Sequence, residues 1–145
     1  MLAKPRKIVI VGHSNPDGDA IGSSLALAEV LTANGHQVTC TLPNNYPYYL
    51  RWIPNSENII IYRNDEEHRT EKALDEADII ICADMNSLTR ADALGEAVAK
   101  NTTAKRVLID HHPAVRGEAA LCPAQARLTH KVGCALWHHK VHKVV

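Results

Sequence analysis

Five short apolar runs punctuate the chain, and a turn residue or a polar group closes each one. KIVIVG (Lys7–Gly12) is β-branched through its centre and reads as a buried strand. HQVTCTL (His36–Leu42) alternates apolar with polar and predicts a second strand. NIIIY (Asn58–Tyr62), DIIICA (Asp78–Ala83) and KRVLI (Lys105–Ile109) predict a third, fourth and fifth. Segments of helical spacing lie between them. Asp19–Asn34 places Ile21, Leu25, Leu27, Ala28 and Leu31 on or near one face, with Asn34-Gly35 as its stop. Asp19 is a candidate cap for that helix. A second helix is predicted over Glu66–Ala77, capped by Asn64 or Asp65. A third is predicted over Thr89–Lys100, with Ala91, Leu94 and Val98 on one side. Pro43–Pro54 reads as a loop with an aromatic cluster of Tyr46, Tyr48, Tyr49 and Trp52.

Strands alternating with helices at this spacing predict an α/β fold, a parallel doubly wound sheet with helices on both faces. The strands are nearly continuous apolar runs, as expected when both faces of a sheet are covered. The pattern changes at about Arg116. From there to Val145 the chain has no Ile, no Asp and one acid, Glu118, but four His, at 130, 138, 139 and 142. No strand–helix alternation is predicted there.

Composition narrows the function classes. The 16 basic and 16 acidic residues cancel, so no whole-chain electrostatic grip on nucleic acid is expected, though a local basic patch is compatible with it. Cys40, Cys82, Cys122 and Cys134 show no C-x-x-C pairing and predict reduced thiols. No secretory leader and no apolar run long enough to span a membrane is readable. The expected location is the cytoplasm.

Candidate chemistry gathers where strands end. The first strand is followed by His13, Asp17 and Asp19 in GHSNPDGD, the fourth by Asp84 in CADMNS, and the fifth by Asp110, His111 and His112 in IDHHP. An open α/β sheet binds ligands outside the carboxyl ends of its strands, so these residues are expected to converge. Carboxylates crowded together repel unless cations neutralise them or protons bind. Oxygen-rich donors with some imidazole suit Mn²⁺ or Mg²⁺ better than a structural zinc. Asp84, alone at its strand end, is the natural carboxylate to bridge two ions. Taken singly, each residue has a plainer reading as a helix cap, a turn residue or a surface histidine. Three such groups at three strand ends make the joint reading stronger. Gly22 with Ser23-Ser24 reads either as phosphate approach at a helix start or as close helix–sheet packing. Arg90 and Arg116 read as surface residues with phosphate contact as the alternative.

Those three motifs, in that order, resemble the DHH phosphoesterase family over about Met1–Pro113. The resemblance implies the DHH-domain fold and a Mn²⁺-dependent phosphoesterase, with Mg²⁺ as the other candidate cofactor. It implies that His13, Asp17 and Asp84 hold one ion and that Asp19, Asp84 and His111 hold a second. It also implies that His112 meets the substrate phosphate and that Asp110 braces the histidine pair. NPDGDAIGSSLAL is most similar to the bifunctional oligoribonuclease (nanoRNase) and pAp phosphatase branch, so short RNA oligonucleotides or nucleotide phosphates are the implied substrates, with a homodimer as the assembly. The alternatives are a degenerate metal- or nucleotide-binding fragment without turnover, or a related activity: cyclic-dinucleotide phosphodiesterase, single-strand exonuclease or inorganic pyrophosphatase. The family carries a further aspartate ligand and a C-terminal substrate-binding domain. The expectation is therefore an incomplete catalytic domain at 1–115 and an atypical tail at 116–145, produced by truncation or a shifted reading frame.

Overall fold

The computed structural model describes residues 3–110 and, as backbone, residues 127–129. The elements run β1 (Lys7–Val11), α1 (Gly18–Ala33), β2 (Gln37–Leu42), β3 (Ile60–Ile61), α2 (Arg69–Asp75), β4 (Ile79–Ala83), α3 (Asp92–Lys100), β5 (Lys105–Asp110) and β6 (Arg127–Thr129). They build one parallel sheet in the order β3-β2-β1-β4-β5-β6. The predicted fold class is the one observed.

Alternation along the central strands divides the core in two. Val9, Val11, Ile80, Cys82 and Leu108 face one way and bury against Leu74, Leu94 and Val98 of α2 and α3. Ile8, Ile10, Ile79 and Ile81 face the other way, against Leu31 with Leu27 and Ala28 of α1. β4 is buried along its whole length. Each isoleucine so buried contributes roughly 1.5–3 kcal/mol of apolar transfer, which holds the strand ends in fixed relation.

Local chemistry sets the helix limits. Asp17, with extended φ, accepts the backbone N–H groups of Asp19 and Ala20 on Oδ1 at 3.0 Å each, so it caps α1 rather than Asp19. At the other end the N–H of Gly35 reaches the Thr32 carbonyl and that of His36 the Leu31 carbonyl. Gly35 supplies the positive φ of 84° that this closure requires.

Three predicted elements are shorter than the pattern suggested. α2 begins at Arg69 because His68 adopts φ 52°. The cap position is His68, which makes no side-chain bond there; Asp65, three residues earlier, accepts the Thr70 N–H at 2.7 Å. β3 keeps two residues, since 3₁₀ turns at Ser56–Asn58 and Tyr62–Asn64 consume its flanks and only Thr41 and Leu42 pair with it. The third helix is divided into a 3₁₀ turn, Leu88–Ala91, and α3, with a break at Asp92 (φ 47°, ψ −135°). The Arg90 carbonyl there accepts the Ser14 N–H at 2.7 Å instead of a helical partner. β6 extends the sheet beyond Asp110, pairing Arg127, Leu128 and Thr129 with Leu108, Ile109 and Asp110. The hydrophobic pattern did not predict this strand.

Candidate metal centre

The strand order reverses between β1 and β4, the position where parallel open sheets form a crevice at their carboxyl ends. Val11 pairs with Cys82 and Ala83 with Ile109. Continuing that register sets position 13 beside 84, and 84 beside 110. The strand-end residues are brought together by pairing rather than by sequence proximity.

His13 is buried. Its Nδ1 lies 2.8 Å from the Ser14 carbonyl oxygen. A carbonyl only accepts, so Nδ1 carries a proton and Nε2 is the nitrogen left to face the cluster. Nε2 lies 3.6 Å from Oδ2 of Asp84. The Asp84 carboxylate raises the His13 pKa above its usual 6.5. Burial and the Arg90 charge oppose that shift, and the Ser14 carbonyl assists it. Anchoring one imidazole nitrogen on a backbone carbonyl is how proteins orient a histidine toward a metal.

Asp84 is also buried, and it leaves β4 in a left-handed conformation, φ 57°, which aspartate tolerates better than most residues. Its N–H donates to the Ile109 carbonyl at 2.8 Å, fixing the strand end against β5. Asp17 is exposed and holds the start of α1 through one oxygen. One ligand atom each from His13, Asp17 and Asp84 lies within 4.8 Å of the others. Donors sit ~2.0–2.2 Å from a divalent cation, so two on opposite sides are roughly 4 Å apart. The cluster therefore has the size of one ion's shell, and two carboxylates with an imidazole suit a hard or borderline cation.

These three residues are the set that the family pattern assigns to one ion. Asp19 is exposed and outside that group. Asp110 ends β5, partly buried, in register with Thr129. His111, His112 and Arg116 lie outside the described residues.

Neighbouring loops brace the site. Ser14 Oγ donates to the Asp92 carboxylate. Asn15 and Asn44 exchange hydrogen bonds, N–H to Oδ1 at 2.8 Å and Nδ2 to Oδ1 at 2.9 Å. Arg90, read from sequence as a surface residue, extends Nη1 to the Asp84 carbonyl at 3.4 Å and places a cation beside His13. Its signal in the sequence was position: it follows Asp84 by one short turn capped by Ser87. Asn44 and Asp92 carried no such signal. Among the described residues nothing lies within 4 Å of where a Gly22 Cβ would sit, so packing does not demand glycine there. Cys82 is buried as expected, and burial pushes the Cys40 thiol up to about 12.

No helix among the described residues is long and apolar enough to cross a membrane. The chain is 37% identical to an exopolyphosphatase-related protein from Bacteroides fragilis, with a TM-score of 0.76 over 87% of this chain and 36% of that one. An α-glucosyltransferase solved with UDP and a 13-mer DNA shares the fold alone, at 17% identity and TM-score 0.56 over 75% of this chain and 31% of that one. The chain thus spans about a third of the length of these solved structures. The profile of the DHH family, N-terminal domain, matches residues 7–136. With the strand order, the clustered acids and histidine, and that match in agreement, the chain belongs to the DHH family, whose members are metal-dependent, and it corresponds to that family's N-terminal domain.

Proposed function

We propose that this chain is the metal-binding part of a phosphoesterase that hydrolyses short oligoribonucleotides and removes the phosphate of pAp-like nucleotides, with Mn²⁺ as its cation. The observation that carries the proposal is the convergence of His13, Asp17 and Asp84 at the sheet's switch point. Those three would hold one ion. Asp19, Asp84 and His111 would hold a second. His112 would meet the substrate phosphate, with Asp110 bracing the histidine pair. A divalent ion bound there supplies Lewis acidity toward phosphate oxygens and lowers the pKa of water toward neutrality.

The chain's own groups prepare that chemistry. The Ser14 carbonyl holds the Nδ1 proton of His13, so Nε2 faces the cluster without a rotamer search. The buried Asp84 carboxylate sits where few waters compete with a cation. Arg90 stands close enough to share the charge of a phosphate, and its tie to the Asp84 carbonyl keeps it there.

The decisive test is Mn²⁺-dependent hydrolysis of a model phosphodiester, compared between wild type and Asp84→Ala. Activity in the wild type that falls at least a hundredfold in the variant supports the reading. Equal rates overturn it. Tight Mn²⁺ binding by calorimetry without turnover supports the alternative, a binding module lacking catalysis.

A further inference from the structure

Apart from Val30, the large apolar side chains most exposed among the described residues are three rings on one loop between β2 and β3. Tyr48, Tyr49 and Trp52 are 81%, 62% and 77% exposed. The core does not need them, because the buried Leu50 between them anchors the turn among Ile21, Leu25, Leu42 and Ile59. Leu50 Cδ2 lies 3.7 Å from where a Cβ on Gly18 would be, and Gly18 separates Asp17 from Asp19. The Asn15–Asn44 pair ties the start of the same loop to the other side of the metal-binding turn. The loop that carries the rings is thus packed against the turn that carries Asp17.

Their arrangement leaves ring surface open. Tyr48 and Tyr49 meet edge to face, centroids 6.2 Å apart at 79°, so the contact takes up at most one face of one ring and leaves the other faces open. The loop from residue 43 to 59 contains two charged side chains, both exposed: Arg51, which lies between the rings in sequence, and Glu57, five residues beyond Trp52. Aromatic faces with a guanidinium interleaved among them match bases joined by phosphates.

Resting on the phosphoesterase reading above, we propose that Tyr48, Tyr49 and Trp52, with Arg51, form a base-stacking platform that holds single-stranded oligonucleotide against the metal cluster. Stacking tolerates any base, so the platform selects for strand and not for sequence.

The test uses the full chain with Mn²⁺ and two labelled probes: a short oligoriboadenylate and an abasic ribose-phosphate oligomer of equal length. Anisotropy is expected to show tighter binding of the oligoriboadenylate. Trp52→Ala and the Tyr48→Ala/Tyr49→Ala pair are each expected to weaken it by about tenfold per ring lost, within the range known for base stacking. Trp52→Phe is expected to keep most of the affinity. Abasic binding and calorimetric Mn²⁺ affinity stay unchanged in every ring variant. Equal wild-type affinity for the two probes overturns the platform. So do ring variants that bind like wild type, or that change only self-association or vesicle binding. A wild type that binds no Mn²⁺, yet loses oligoriboadenylate with its rings, sinks the metal-site reading and leaves the platform standing.

Discussion

Each of the three clustered residues also has a structural task. Asp17 caps α1 with one carboxylate oxygen, His13 donates Nδ1–H to its neighbour's carbonyl, and Asp84 occupies a left-handed corner. Cap and ligand are compatible readings of Asp17, since a carboxylate has two oxygens. Away from the cluster, Asp65 shows a purely structural acid. Its side chain is 1% exposed. Burial alone would raise its pKa, but the hydrogen bonds from Thr70 and Arg69 outweigh that and hold it below the ordinary 3.8. A lowered folded value means that ionised Asp65 contributes stability above pH 3.8, and that the contribution fades as pH falls through the folded value. Asp65→Asn replaces charge-assisted hydrogen bonds with neutral ones and is expected to cost about 1 kcal/mol near neutrality. In thermal unfolding that is roughly 2–4 °C. The gap between the two proteins should close in acid, and a gap that persists below the folded pKa would discount the charge.

At the scale of elements, two glycines make opposite predictions. A Cβ on Gly95 would lie 2.0 Å from the Leu88 carbonyl oxygen, so α3 can lie this close to the preceding 3₁₀ turn only without a side chain there. Gly95→Ala must move backbone, at a cost of roughly 1–3 kcal/mol that exceeds the ~1 kcal/mol gain in helix propensity. Its urea midpoint is expected to fall. Gly22 in α1 meets open space among the described residues, so Gly22→Ala is expected to raise stability by ~0.5–1 kcal/mol. A stabilised Gly22→Ala that binds inorganic phosphate as wild type does would leave phosphate approach no claim on this glycine. The existence and order of β1 to β5 and of the three helices were legible in periodicity, whereas β6 was not. Their ends were not, because the Ser14–Arg90 bond and the His68 corner depend on segments distant in sequence or on one strained backbone.

Across the whole molecule, a cation at the cluster would link the turn after β1 to the corner after β4 and stabilise only the folded chain. Mn²⁺ at a hundredfold excess over its Kd should add about 2.7 kcal/mol, which is a rise in Tm of roughly 5–10 °C. Asp84→Ala should lose that rise. A wild type whose Tm ignores Mn²⁺ would remove the metal from the account. The sequence by itself determined the fold class, because β-branched runs alternating with amphipathic stretches admit few buried arrangements. It also supplied the residue types at each strand end and, through their motifs, the family. Tertiary structure alone decided which of them meet. Parallel register sets 13 beside 84, a left-handed corner seats the Asp84 carboxylate near Nε2 of His13, and a break before α3 carries Arg90 to the same edge. Those relations depend on strand pairing and on bonds across 70 or more residues, such as that between Ser14 and Asp92. Local patterns describe what each segment prefers, whereas the site exists only where several preferences are packed against one another.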